Sequence, residues 1–215
     1  KDEGKHLMKL YHDRKIVLLT KHGKERVTKP LLESETGCAL FVEQRFDTDK
    51  LGTFSREIKR AKSQLETARI KVKKGIKYSG VEIGIATEGS FGSHPYAPIP
   101  WHVELVLLYD KKERFEIFGV YEGPDTNYDH KCVQSFEEVK DFAKKIGFPE
   151  HYVMLRPDHS EHKRIVKDID NYEKLYDAFL SCLKISKTGR CFIETDMRAH
   201  ANPTRMKNIQ KATEN

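Results

Sequence analysis

The sequence has little of what zinc ribbons, disulfide frameworks and membrane spans require. Its four cysteines lie far apart and never form a C-x-x-C pair, which argues against a zinc ribbon and against a dense disulfide framework. No run approaches the ~18 apolar residues of a membrane-spanning helix, and residues 1–14 lack the apolar core of a signal peptide. We therefore expect reduced cysteines, no membrane partner and a cytoplasmic location.

The net charge is compatible with several kinds of ligand or partner and does not identify one of them. The 215 residues include 39 Lys and Arg against 33 Asp and Glu, which gives a net charge of +6. Much of this excess comes from lysines on the outer faces of predicted helices. Such an excess is compatible with an anionic small ligand, with a phosphate-rich polymer or with an ordinary solvated surface.

Apolar runs that alternate with amphipathic stretches predict an α/β fold. Residues 15–20, 38–42 and 81–86 are short branched runs typical of strands. Residues 56–77 carry apolar side chains at spacings of three and four, which predicts one long helix. Two strand patterns within residues 102–122 predict an antiparallel hairpin, so the sheet is expected to be mixed.

These elements predict a single α/β domain with a central mixed β-sheet flanked by helices on both faces. We assign the domain to residues 15–215 and treat residues 1–14 as an N-terminal extension. No repeat or low-complexity tract divides the chain convincingly. The length is sufficient for a sizeable core.

Residues 194–206 (ETDMRAHANPTRM) are the most informative segment. They place two acids, two arginines, a histidine and an asparagine between a predicted strand and a predicted helix, which Asn202 caps and Pro203 opens. Ligands bind at such strand ends, so we predict a site in which Arg198 and Arg205 serve the ligand more than the fold. The alternative is a buried network of ion pairs.

Three other polar loops follow predicted strands, at residues 21–24, 47–49 and 88–91. If several of them share one rim of the sheet, their cations can neutralise phosphates while their carboxylates hold Mg²⁺. Each also has an ordinary explanation. Residues 21–24 do not match a Walker loop and are compatible with an exposed turn, and residues 47–49 are compatible with an Asx-turn and a helix cap. The roles of three aspartates stay open: Asp47, Asp49 and Asp125.

The histidines and the possible nucleophiles do not indicate a catalytic motif. His159 and His162 are three residues apart without a clear acidic partner, and the other histidines are scattered, which argues against zinc catalysis. The segment around Ser90 lacks the G-x-S-x-G pattern of a nucleophile elbow.

Taken together, six motifs resemble the family of the domain of unknown function number 6671. The resemblance runs over about Lys15 to Ala212. Because the role of that family is not established, the resemblance implies no reaction. The motifs are residues 21–25, 46–54, 88–92, 125–127, 147–151 and 194–206.

The first half of the chain is also similar in layout to the inosine/xanthosine triphosphatase branch of the nucleoside triphosphate pyrophosphatases. In this resemblance Lys24 corresponds to the loop lysine, Glu66 to the helix carboxylate, and Glu88 lies close to the strand-end acid. His22 replaces the loop asparagine, and the strand-end acid is displaced by two residues. The resemblance implies hydrolysis of a nucleotide with a divalent ion.

We therefore hypothesise that the protein binds a nucleotide or another phosphorylated metabolite and hydrolyses it with Mg²⁺. Lys24, Glu88, Asp196 and Arg198 are expected to line one cleft. The predicted catalytic acids are Glu88, Glu194 and Asp196. The predicted Mg²⁺ ligands are Glu66, Glu88 and Asp196. The predicted ligand-binding residues are Lys21, His22, Lys24, Ser90, Arg198, His200, Asn202 and Arg205.

The competing hypothesis is a non-enzymatic binding or scaffold protein. It would use the basic helix faces for an acidic partner or RNA, although we do not favour nucleic acid. The two hypotheses differ in their salt dependence, because polyanion binding falls steeply with ionic strength.

Overall fold

The computed structural model describes residues 10–46 and 63–215, and within these ranges nine strands form two sheets. The larger sheet consists of β1 (Lys15–Leu19), β2 (Ala39–Glu43), β3 (Ile83–Ser93), β4 (Pro100–Asp110) and β5 (Phe115–Gly123). Its order is β2-β1-β3-β4-β5. β1 runs parallel to β2 and β3, whereas β4 is antiparallel to β3 and β5. The predicted mixed sheet and its hairpin are confirmed.

A second sheet is formed by short strands from the later part of the chain. It consists of β6 (His130–Val133), β7 (Val153–Pro157), β8 (Val166–Ile169) and β9 (Cys191–Thr195). The order is β6-β9-β7-β8, and the paired strands are antiparallel. The sequence predicted strands at residues 152–155 and 191–193, where β7 and β9 lie. It did not predict that they form a separate sheet, because that depends on which distant segments pair.

Five helices connect the strands in the described ranges: α1 (Glu25–Thr36), α2 (Gln64–Ser79), α3 (Phe136–Ile146), α4 (Tyr172–Leu183) and α5 (Pro203–Glu214). Local caps fix where several of them begin. Ser63 caps α2, which overlaps the helix predicted over 56–77, and residues 56–62 of that prediction lie outside the described residues. Asn202 caps α5 and Pro203 opens it, as predicted. Within the described ranges, no helix combines the length and the apolar character needed to cross a membrane.

Helices cover both faces of the larger sheet. On one face, Val72 and Ile76 of α2 pack on Val17 and Leu107. On the other face, α1 and α5 cover a cluster that includes Ile85. Full burial of each such side chain contributes about 1.5–3 kcal/mol. The predicted arrangement of helices on both faces is confirmed, and α3 and α4 form a separate core with the second sheet.

The contact between α2 and β3 depends on Gly84. A Cβ atom at this position would lie 2.9 Å from Cγ1 of Val72 and 3.1 Å from the backbone oxygen of Val72. We expect Gly84→Ala to lower the free energy of unfolding by about 1–3 kcal/mol, because the added methyl group overpacks this contact. Urea denaturation measures the loss.

Gly92→Ala is the matched control in the same strand. Among the described residues, no atom lies within 4 Å of a Cβ at Gly92. This variant should differ from the wild type by no more than about 0.5 kcal/mol. Equal stability of the two variants would contradict the tight contact at Gly84.

Candidate functional site

β1 pairs with a longer strand, β3. The candidate site lies beyond the end of β1, where β3 continues. Leu18 in β1 pairs with Ile85 in β3, and β3 runs on well past the end of β1. The chain leaving β1 turns through Gly23 (φ 69°) and enters α1 at Glu25. The start of α1 therefore lies at the carboxyl edge of the parallel strands, where α/β proteins commonly bind ligands.

Lys24 connects this loop to β3. Its side chain is only 6 % exposed, and Nζ donates hydrogen bonds to the backbone oxygen of Thr87 at 2.9 Å and to Thr87 Oγ1 at 2.5 Å. Burial, followed by repulsion from Arg205 and Lys71, lowers the pKa of Lys24 to about 7. The amine is therefore near the midpoint of its titration at neutral pH.

Lys24 belongs to a group that we name the buried charge cluster, composed of Lys24, Lys71, Glu88, Glu104 and Arg205. Lys71 forms an ion pair with Glu88, and Nε of Arg205 lies 3.2 Å from Oε2 of Glu104. These five residues comprise three cations and two carboxylates, so their summed charge is positive when Lys24 is protonated. Burial of an unmatched charge is costly.

Glu104 is held by side chains from two elements. Arg205 reaches it from α5, and Nε2 of His102 on β4 lies 2.8 Å from Oε2 of Glu104. Asn208 donates to Nδ1 of His102 at 2.8 Å, which places the proton of a neutral imidazole on Nε2, where it is donated to Glu104. Burial raises the pKa of Glu104, but Arg205 and His102 outweigh it, and the pKa is lowered to about 2.

Gly89 lets the strand backbone approach this ion pair closely. A Cβ at Gly89 would lie 2.6 Å from Oε2 of Glu104 and 2.7 Å from Nη2 of Arg205. The ring of Phe91 stacks on His102 with centroids 4.4 Å apart, and Cζ of Arg205 lies 5.2 Å from the same ring. The segment predicted as a polar loop at residues 88–91 is part of β3, and its glycine accommodates an internal contact.

A second group lies where β9 ends, and we name it the rim cluster: His22, Asp168, Asp196, Arg198 and His200. Nε of Arg198 lies 3.0 Å from both oxygens of the fully buried Asp196, and its Nη2 donates to Asp168 at 2.8 Å. Nδ1 of His22 lies 3.2 Å from Nδ1 of His200. Burial, followed by Arg198 and His22, lowers the pKa of His200.

Two connections join the clusters. The loop after β1 supplies Lys24 to the buried charge cluster and His22 to the rim cluster. Nη1 of Arg205 donates to the backbone oxygen of Met197 at 2.6 Å, within the loop that carries the rim arginine. A single cleft was predicted for four residues, and this stays a prediction: Lys24, Glu88, Asp196 and Arg198.

The chain's own groups bind both arginines that were predicted to serve a ligand. Arg198 is held by Asp196 and Asp168, and Arg205 by Glu104 and the Met197 backbone. These contacts favour the alternative that the sequence left open, a buried network of ion pairs. The ligand-binding role of the two arginines stays a prediction.

Three further predicted site residues make contacts that stabilise the fold. Glu66 accepts from the backbone and side chain of Ser63 in the capping box of α2. Asn202 accepts from the backbone N–H of Arg205 at 2.9 Å as the cap of α5. The fully buried Glu194 lies 3.6 Å from Nε of Arg156. Their catalytic, ligand and metal roles stay predictions.

The predicted Mg²⁺ site also stays a prediction. In the part of the chain that the structure describes, no group of three or more His, Cys, Asp or Glu side chains is arranged to hold a metal ion. Asp47 and Asp49 lie outside the described residues. Lys21 and Ser90, two predicted ligand contacts, have exposed side chains.

Sequence reasoning missed Glu104, His102 and Asp168. Glu104 had a visible signal, because it is the single acid in the interior of an apolar strand pattern that ends at Asp110. Such a charge is almost never fully buried unless it is paired. Asp168 had no comparable signal; in the structure it adopts a left-handed backbone conformation (φ 60°) and contacts Arg198.

A comparison with known protein families identifies the family to which the chain belongs. The sequence matches the profile of a domain of unknown function (DUF6671) over residues 71–215. The chain belongs to this family. No curated protein matches the sequence of this chain. The DUF6671 match begins within α2, so it includes four members of the buried charge cluster, whereas Lys24 and His22 precede it.

The Glu104 ion pair predicts a specific dependence of stability on pH. The pKa of Glu104 is about 2 in the folded protein, against about 4.3 in an unfolded chain. Its stabilising contribution is therefore present above about pH 4.3 and is lost as the pH falls toward 2. Glu104→Gln should lower the free energy of unfolding at pH 7 by about 3–5 kcal/mol, because the buried guanidinium of Arg205 loses its charged partner.

Glu137→Gln is the control, since the ion pair of Glu137 with Lys140 lies on the surface. That change should cost no more than about 1 kcal/mol. Denaturant unfolding between pH 2 and 7 measures both variants. If Glu104→Gln kept the full acid-dependent loss of stability of the wild type, another group would have to account for that loss.

Proposed function

We propose that this protein binds the phosphate groups of a nucleotide or another phosphorylated metabolite beside Lys24, and that it hydrolyses the ligand with Mg²⁺. The observation that supports the binding step is the composition of the buried charge cluster, with three cations and two carboxylates. Among these five residues the cations outnumber the carboxylates, and a phosphate oxygen would offset this excess. It would also stabilise the protonated amine of Lys24.

The position of Lys24 supports the same proposal. The lysine follows a glycine with positive φ and precedes the N-terminus of α1, whose first N–H groups carry a partial positive charge. Thr87 fixes the amine from the side of β3. An anion at this edge would meet an oriented ammonium group and a helix dipole together.

In the hydrolytic step, Glu88 is the proposed carboxylate for Mg²⁺. It is nearly buried and forms an ion pair with Lys71, so a metal ion would compete with this lysine for the carboxylate. The bound ion would supply charge neutralisation at the phosphate and an activated water. Lys71, once released, would be free to contact a phosphate oxygen.

RNA or an acidic protein partner is the alternative for the basic surface. Several basic residues of α2 have contacts within the chain, such as Arg69 with Glu116 and Lys71 with Glu88, which lowers the charge that the helix offers to a polymer. A cytoplasmic location is part of the proposal and is supported by the free cysteines.

Lys24→Met tests the binding step, because it removes the ammonium group and keeps the length of the side chain. We expect the affinity for nucleoside phosphates to fall by about 1.5–3 kcal/mol, the range for a hydrogen bond to a charged group. Isothermal titration with nucleoside triphosphates, sugar phosphates and unphosphorylated nucleosides, with and without Mg²⁺, measures the change. Lys29→Met, on the exposed side of α1, is the control.

The pKa of Lys24 also predicts how this affinity depends on pH. An anion raises the pKa of Lys24 above about 7, so binding is accompanied by proton uptake. The affinity should be fully present below pH 7 and should decrease as the pH rises above it, and Lys24→Met should lack this decrease. An equal pH dependence in both proteins would remove Lys24 from the site.

Glu88→Gln tests the hydrolytic step. The change keeps the volume of the side chain but removes its charge, so Mg²⁺-dependent turnover should fall by about 100-fold or more. Glu137→Gln is the control, because Glu137 is exposed, pairs with Lys140 on the surface and belongs to no predicted site. Release of phosphate or pyrophosphate under excess Mg²⁺ measures both. Unchanged turnover in Glu88→Gln would move the metal ion to other residues.

A further inference from the structure

Two histidines that are 178 positions apart in the sequence meet in the rim cluster. Nδ1 of His22 lies 3.2 Å from Nδ1 of His200, and the ring centroids are 5.1 Å apart. Two imidazole nitrogens that bind one tetrahedral zinc ion at about 2.0–2.1 Å lie about 3.3 Å from each other. The pair therefore has the separation of two ligands of a single ion, although a hydrogen bond between the rings has a similar length.

Local backbone structure holds both rings in place. The backbone N–H of His22 donates to Oγ1 of Thr20 at 3.2 Å, directly before the turn at Gly23. His200 lies in a short 3₁₀ turn between Ala199 and Ala201, both of which are buried. A site supported in this way requires little rearrangement when an ion binds.

Asp168 places a carboxylate beside His200, where metal-binding histidines usually have an outer hydrogen bond. Its Oδ1 lies 3.7 Å from Nε2 of His200, the ring nitrogen that faces away from His22, and Arg198 holds the same oxygen at 2.8 Å. A carboxylate at this position orients the ring and increases its basicity as a ligand.

We propose that His22 and His200 bind a divalent transition-metal ion, such as Zn²⁺ or Co²⁺, through their Nδ1 atoms, with Asp168 orienting His200. Water fills the remaining positions, and the ion enters from solvent, since the side chain of His200 is 33 % exposed. This site is distinct from the Mg²⁺ site proposed at Glu88, because Mg²⁺ prefers oxygen ligands whereas Zn²⁺ and Co²⁺ accept imidazole.

Titration of the tag-free protein with Co²⁺ tests this proposal without any phosphorylated ligand. The wild type should give a saturable visible absorption band of nitrogen-coordinated Co²⁺, which Zn²⁺ displaces. His22→Gln and His200→Gln should each lose the band. Asp168→Asn should keep it with an affinity about 10- to 100-fold lower, as expected for loss of an orienting carboxylate.

His159→Gln/His162→Gln is the matched control. These two histidines are also close, with ring centroids 5.9 Å apart, but they lie in the segment between β7 and β8 and do not belong to the rim cluster. The control should bind Co²⁺ like the wild type. Persistence of the band in His22→Gln/His200→Gln, or its loss in the control, would overturn the proposal.

Imidazole ¹⁵N resonances of the wild type give a measurement that does not depend on whether a variant folds. Zn²⁺ should shift the Nδ1 resonances of His22 and His200 together and leave those of His159 and His162 unchanged. Unshifted resonances under saturating Zn²⁺ would mean that the two rings form only a hydrogen-bonded pair. Either result is independent of whether the protein binds nucleotides.

Discussion

The ion pair between Arg205 and Glu104 is the contact on which the candidate site depends. It joins α5 to the middle of β4, in surroundings where neither charge can be left without its partner. Because the pair fixes the first turn of α5, it also fixes the cap at Asn202 and the loop that precedes it. The rim cluster is therefore positioned by a contact in the other cluster.

The two clusters differ in whether the charged side chains at their centres have charged partners within the chain. In the rim cluster, Arg198 has carboxylate partners on two sides, and the histidines occupy its outer edge. In the buried charge cluster, the hydrogen-bond acceptors of Lys24 are neutral. Its pKa is lowered chiefly because burial disfavours the charged amine. A perturbed lysine at the carboxyl edge of a sheet is the feature that fold stability explains least well.

Prediction from the sequence succeeded where neighbouring residues decide the structure. The cap at Asn202 and the hairpin of β4 and β5 depend on residues close together in the chain, and both are confirmed. The second sheet and the contact between His22 and His200 were missed, because they depend on which distant segments pack together. The prediction of a polar loop at residues 88–91 was wrong for a related reason, since these residues belong to β3. A glycine indicates that a side chain would not fit at that position, but it does not show which atoms lie there.

Gly89 also makes the ion pair recognisable in other members of the DUF6671 family, since it lies within the matched region. A side chain at this position would occupy the place of the Glu104 carboxylate and of the Arg205 guanidinium at once. A relative that carries a glycine here, together with the acid and the arginine, has the room to form the same pair. A relative with a larger residue must place the carboxylate and the guanidinium elsewhere, and its site would have a different shape.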